Sequence, residues 1–265
     1  MSAPAGASFI GRGLPRREDL RLLRGRGRYV DDVSLPGQLH AAFVRSPHAH
    51  ARIASIDTSR AAAMPGVHAV LTGADIEDAI GLAPMIWHPP GTEVLVPESR
   101  PLLSGRVACV GAPVAVVLAD TPYAAEDGAD AVEVAYEPLP AVADPLEAME
   151  EGAPLVHPDL GTNVCFETSM GGGDLDAGFE RADLIVERTI TNHRVAGVPM
   201  EPRGVLAEPH GERVTLWTST QAPHLVKTYV ARQLGWDEDL LRVMVPDVGG
   251  GFGVKANVYG EEALV

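Results

Sequence analysis

The chain reads as an α+β protein, on three kinds of observation. Short runs with strand alternation, "QLHAAFVRS" and "ARIASIDTS", are parted by the turn "PHAH". A continuous apolar run, "APVAVVLA", has the length of a strand buried on both faces. Two helical patterns, "TPYAAEDGADAVEV" and "APHLVKTYVARQLG", stand in different halves, so helices and strands mix without a strict βαβ repeat.

Taken in order, "AAAMPGVHAVLTGADI" reads as a short helix, a Pro-Gly turn, a strand and a second helical start. Thr121 is placed as an N-cap with Pro122 at the first helical position. Ala124, Ala125, Gly128, Ala129 and Val132 then form a small-residue face for close packing on a sheet. The stretch dense in Pro and Gly after Ala135 reads as a linker near residues 138–162. Beyond it, "DLIVERTITNHRV", "GVLAEP" and "ERVTLWTST" read as strands, as does "DLLRVMVPDV" further on. The second long helix presents Leu225, Val226, Tyr229, Val230 and Leu234, with Gly235 as its C-cap. The last residues, "YGEEALV", make a helical start with no capping signal and with Leu264 and Val265 exposed.

Composition bounds the function. The 265 residues are 46% apolar and 22% charged, which is globular and enough for a sizeable core. A formal net charge of −15 argues against nucleic acid and anionic membranes as partners. The short basic cluster Arg24–Tyr29, "RGRGRY", reads as a solvated loop. Cys109 and Cys165 are too far apart for a CxxC unit and read as reduced thiols. No apolar run reaches the ~18 residues of a membrane span, and the N-terminus lacks a signal peptide's apolar region, so a cytoplasmic location is expected.

The densest motif is "PDVGGGFGVK", Pro246–Lys255. A phosphate-binding P-loop needs Gly before the lysine and Ser or Thr after it, but Val254 and Ala256 stand there. The dinucleotide fingerprint and the kinase glycine loop fail too, because the strands and helices they need do not follow. From the residues alone, Gln221 is a cap or loop residue ahead of Pro223, and Phe252 is a plug beneath a glycine turn. Lys255 reads as an exposed lysine. His48 and His50 have no third ligand at metal spacing and read as turn residues, as do Asp31 and Asp32. Glu201 and Arg203 of "MEPR" are spaced for a mutual ion pair.

Six stretches in register carry a resemblance: "GRYVDDVSLPGQLHAAFVRSPHAHARI", "PGVHAVLTGADI", "VEVAYEPLPAV", "PMEPRGVLAE", "TSTQAPHLVKTYVARQLG" and "PDVGGGFGVK". Together they resemble the large, molybdenum-cofactor subunit of the xanthine dehydrogenase and aldehyde oxidase family, which includes the aerobic carbon monoxide dehydrogenase large chains. The resemblance implies a tail over 1–18, an α/β hammerhead domain over 19–140, a linker over 141–162, and over 163–265 the first part of a mixed α+β molybdopterin-binding domain. It implies that Gln221 donates its side-chain amide to a metal oxo ligand and that Phe252 sits at the tip of the glycine loop, both beside the metal without ligating it. Gly250, Gly251 and Gly253 would let backbone N–H groups approach the cofactor.

The same resemblance implies a molybdenum–pterin cofactor, of the molybdopterin cytosine dinucleotide form. It implies Fe–S clusters and FAD on partner chains, namely a 2Fe–2S small subunit and an FAD-binding medium subunit assembled as a dimer of heterotrimers. Two cysteines cannot hold such clusters. The reaction implied is oxidation or hydroxylation of CO, an aldehyde or an N-heterocycle by a metal-bound hydroxide. The general base is expected beyond Val265, so this stretch alone is expected to be inactive. Purine oxidisers carry a glutamate directly after the loop's lysine; Ala256 stands there, which argues against xanthine. The alternative reading is a non-catalytic binding or assembly module that keeps the hammerhead domain.

Overall fold

The computed structural model describes residues 10–83, 85 and 89–265. The first nine positions of the expected tail over 1–18 lie outside the described residues. The strands are β1 (His40–Arg45), β2 (Ala51–Asp57), β3 (Val67–Thr72), β4 (Arg106–Val107), β5 (Pro113–Ala119), β6 (Glu133–Pro138), β7 (Val205–His210), β8 (Arg213–Thr218) and β9 (Leu241–Met244). The helices are α1 (Asp19–Leu23), α2 (Ser59–Ala62), α3 (Gly73–Ile76), α4 (Pro122–Asp130), α5 (Leu175–Glu180), α6 (Pro223–Leu234) and α7 (Glu261–Leu264). Three three-stranded sheets result, ordered β1-β5-β3, β4-β2-β6 and β7-β8-β9.

The apolar run "APVAVVLA" becomes β5, paired antiparallel on both edges. Its side chains divide the core between them. Ala115 and Val117 face the small-residue helix α4 and Val132, while Val116 faces the second half of the chain. Strand periodicity of two produces this division. On α4, Thr121 Oγ1 accepts the Ala124 N–H at 3.1 Å, as the cap reading requires. Gly128 is needed for contact, because a Cβ there would lie 2.8 Å from Val117 Cγ1.

In the second half, β7 and β8 pair antiparallel, and α6 carries the chain from β8 to a parallel β9. A parallel neighbour requires such a crossover. α6 buries Val226, Val230 and Ala231 against Ile76, Ile80, Leu102 and Val116, so one apolar cluster spans both halves. Gly235 closes α6 in the left-handed region, as expected.

Four expectations need correction. The strand expected over 183–195 does not form: Leu184, Val186 and Ile190 are largely exposed, and the segment pairs with no strand among the described residues. The α6 stripe is rotated, with Leu225 exposed and Gln233 buried, because contact with the first half selects the Val226–Val230–Ala231 face. The "RGRGRY" loop is not simply solvated, since Arg28 is bound through its backbone to Asp247. The last turn has no side-chain cap, as expected, but Glu262 accepts the Tyr259 N–H ahead of it at 2.9 Å, and Leu264 packs on the core instead of lying exposed.

Candidate functional site

The glycine loop leaves β9 and is fastened at four points. Its root is Asp247, whose carboxylate takes both terminal nitrogens of Arg21, at 2.5 and 2.6 Å, and the Arg28 N–H at 2.8 Å. The Asp247 N–H returns a bond to the Arg28 carbonyl at 2.8 Å. The Arg21 hydrogen bonds and the Arg28 N–H hold the Asp247 carboxyl down at about 2.

The second and third points meet at Glu201. Its Oε2 accepts from Ser219 Oγ at 2.7 Å, from the Gly249 N–H at 2.7 Å and from Lys255 Nζ at 2.8 Å. Burial pushes this carboxyl up, but Lys255, Ser219 and the Gly249 N–H together hold it below the usual range. Lys255, expected at the surface, has a fully buried side chain, and the ion pair with Glu201 makes that burial tolerable. Glu201 therefore does not pair with Arg203, as its spacing had led us to expect. Arg203 instead joins Arg45 on Glu261, at 3.0 and 2.8 Å, and stacks on the Tyr259 ring. The two arginines overcome burial and hold Glu261 at about 2.

The fourth point is Gln221, in the turn between β8 and α6. Its Oε1 accepts the Gly253 N–H at 3.1 Å. A backbone N–H can pair only with the amide oxygen, so the –NH2 of Gln221 faces outward, with no partner among the described residues. Gly251 lies directly against it; a Cβ there would sit 2.4 Å from Gln221 Oε1. The Gln221 N–H and Thr220 Oγ1 both donate to the Lys255 carbonyl, at 2.8 and 3.0 Å, which ties the two segments together.

Between these anchors the backbone turns through the left-handed region at Gly250 (φ 99°), Phe252 (φ 49°) and Gly253 (φ 89°). Phe252 is the only non-glycine with positive φ among the described residues, and it is 75% exposed, so it is no core plug. A bulky side chain held there costs about 1–3 kcal/mol, the kind of strain that collects at functional tips. After Gly253 the chain makes only a three-residue 3-10 turn, Val254–Ala256, so no long helix N-terminus stands behind the loop for a pyrophosphate. Sequence reasoning selected Gln221, Gly250, Gly251, Phe252 and Gly253, and the fold brings all five together. It missed Glu201, Ser219, Lys255 and Asp247, whose roles arise from contacts between distant segments.

Elsewhere, His48 stacks near Tyr136 and His50 Nδ1 donates to the Pro140 carbonyl, so the two are separate turn residues. No group of three or more His, Cys, Asp or Glu side chains able to hold a metal ion occurs among the described residues. Among those residues, no helix is long and apolar enough to cross a membrane.

The described residues thus combine two small antiparallel sheets, a β8–α6–β9 unit and a tethered glycine loop facing a glutamine. Comparison identifies the class. Residues 24–140 match the aldehyde oxidase and xanthine dehydrogenase a/b hammerhead domain, and residues 156–265 match the molybdopterin cofactor-binding domain. The chain belongs to the molybdopterin-dependent xanthine dehydrogenase, aldehyde oxidase and CO dehydrogenase family.

Among its relatives, the nicotine 6-hydroxylase large subunit of Paenarthrobacter nicotinovorans is 44% identical, over 100% of this chain and 32% of the relative. The carbon monoxide dehydrogenase large chain of Afipia carboxidovorans is 40% identical, over 97% of this chain and 33% of the relative. The crystal structure of quinoline 2-oxidoreductase from Pseudomonas putida 86 superposes with a TM-score of 0.85 at 43% identity, covering 97% of this chain and 32% of that one. The chain thus spans about a third of the length of these relatives.

Proposed function

We propose that the chain is the N-terminal third of a molybdenum hydroxylase large subunit and that it supplies one wall of the cofactor site. The observation that carries this reading is the Gln221–Gly253 hydrogen bond. It spends the amide oxygen on the loop and leaves the –NH2 as an oriented donor beside the glycine tip. An outward donor suits a negatively polarised oxo group. Gly251, with no room for a Cβ, and Phe252, held at positive φ, give the same wall its shape, so these residues fit a molybdenum–pterin group.

When bound, that group supplies the redox chemistry; molybdopterin cytosine dinucleotide is the form proposed. Gln221 would donate to it, and Gly250, Gly251 and Gly253 would let backbone approach it. Phe252 would cover it without ligating it. The boundaries 19–140 and 163–265, joined by a linker over 141–162, are part of this reading. The cytoplasm is the proposed compartment, in keeping with the two exposed free thiols, Cys109 and Cys165.

For substrate we infer a nitrogen heterocycle. The names of two relatives above 40% identity, a nicotine hydroxylase and a quinoline oxidoreductase, support that class over CO or an aldehyde. Electrons would leave through a 2Fe–2S small subunit and an FAD-binding medium subunit in a dimer of heterotrimers. The test is to purify the full-length large subunit with its partner subunits, quantify molybdenum, and assay pyridine and quinoline compounds, aldehydes and CO with an artificial electron acceptor. Molybdenum near one per large subunit and turnover of a heterocycle are expected. A metal-free complex, inert toward all of these, would sink the proposal.

A further inference from the structure

We propose that Lys255 and Glu201 are positioning residues for the cofactor wall, acting through Gln221 and the glycine loop; this rests on the function proposed above. Lys255 is bonded in two directions. Its ammonium group reaches Glu201, which also holds the Gly249 N–H at the start of the loop. Its carbonyl accepts the Gln221 N–H and the Thr220 hydroxyl, fixing the turn that presents the amide. One residue is therefore tied to both parts of the wall, its buried side chain through Glu201 to the loop that carries Phe252 and its backbone carbonyl to the turn of Gln221. The Glu201 backbone adds a further tie, its N–H donating to the Gly249 carbonyl at 3.2 Å.

The arrangement is more than filling. Lys255 is the bulkiest fully buried side chain described, in a position where an apolar residue would avoid any charge burial. All three side-chain and backbone donors converge on Glu201 Oε2, while the buried Oε1 has no partner among the described residues. A buried ion pair of this kind is costly to break on one side only, so the two residues act as a unit and fix the spacing between loop and turn. Positioning groups behind a metal's neighbours are typically worth 10–100-fold in metal retention.

The experiment uses the full-length large subunit in complex with its partner subunits, comparing wild type with Lys255→Met, Glu201→Gln, the double variant and Ser219→Ala. Bound molybdenum after dialysis and the Mo(V) electron paramagnetic resonance spectrum after partial dithionite reduction are read beside thermal unfolding. Each charge variant should retain about tenfold less molybdenum and show shifted Mo(V) g-values. The double variant should be no worse than either single one. Wild-type retention and an unchanged spectrum in a folded charge variant overturn the proposal. If neither charge variant folds, Ser219→Ala decides: a shifted spectrum with an unaltered melt supports it, and an unaltered spectrum overturns it. Wild-type complex without molybdenum overturns the functional reading as well, which separates the two failures.

Discussion

Gly251→Ala isolates the contact on which the candidate site depends. The new Cβ would stand 2.4 Å from Gln221 Oε1 and 2.5 Å from its Cδ, so ordinary contact requires the amide to retreat by about 1 Å. The obstacle is the end of a flexible side chain, and Gly251 does not occupy the left-handed region, so the backbone has no need to move. Retreat breaks the bond from the Gly253 N–H, a loss of about 0.5–1.5 kcal/mol. Replacing glycine by alanine also restricts the unfolded chain, returning about 0.4–1 kcal/mol. Net stability should therefore change by less than about 1 kcal/mol, while hydrogen exchange at Gly253 accelerates and molybdenum retention in the full-length complex falls about tenfold. In a Gln221→Ala background the same change should have little further effect, since the obstructing atoms are gone. Urea melts, exchange and metal content measure the three quantities. A stability loss above about 3 kcal/mol, or wild-type metal retention, would refute the reasoning.

Gly128→Ala should destabilise, because the Cβ would press on Val117 and Val67; overpacking of about 1–3 kcal/mol exceeds the helix propensity gain of about 1 kcal/mol, and thermal unfolding reads the difference. Asp247, depressed from 3.8 to about 2 in the fold, contributes stability that is present above its unfolded value and is lost as pH falls toward about 2. Asp247→Asn should flatten that part of the acid branch, as urea midpoints between pH 5 and 2 would record. Glu262 behaves oppositely: burial raises its pKa, so carrying the charge in the fold costs stability above the unfolded value of 4.5. Glu262→Gln, which can still accept the Tyr259 N–H, should raise the melting temperature at pH 7 and lose that advantage below pH 4.

Local chemistry was legible in the sequence wherever it is decided locally. Thr121 and Gly235 end their helices through bonds within a few residues, and β5 announces itself by an unbroken apolar run. The site's exposed members were legible for a different reason: a glycine cluster and a glutamine ahead of a proline are unusual enough to carry a resemblance. What failed was the choice of partner. Glu201 is two residues from Arg203 but bonds Lys255, 54 positions away, because the start of β7, the end of β8 and the end of β9 lie at the same end of one sheet. A lysine's burial cannot be read from its own neighbours. The segment over 183–195 has the alternation of a strand, yet alternation alone supplies no edge to pair with.

The clip between Arg21 and Asp247 closes a span of 226 residues. Bringing such distant ends together costs about 5 kcal/mol in the length-dependent part of loop-closure entropy. On a ribosome delivering the chain from its N-terminus, Arg21 emerges 226 residues before the carboxylate it pairs with. The root of the glycine loop is therefore a contact of long sequence separation, and the hydrophobic cluster shared by the two halves shortens the distance it has to close. The geometry thus couples the clip at the loop's root to the core that joins the two halves.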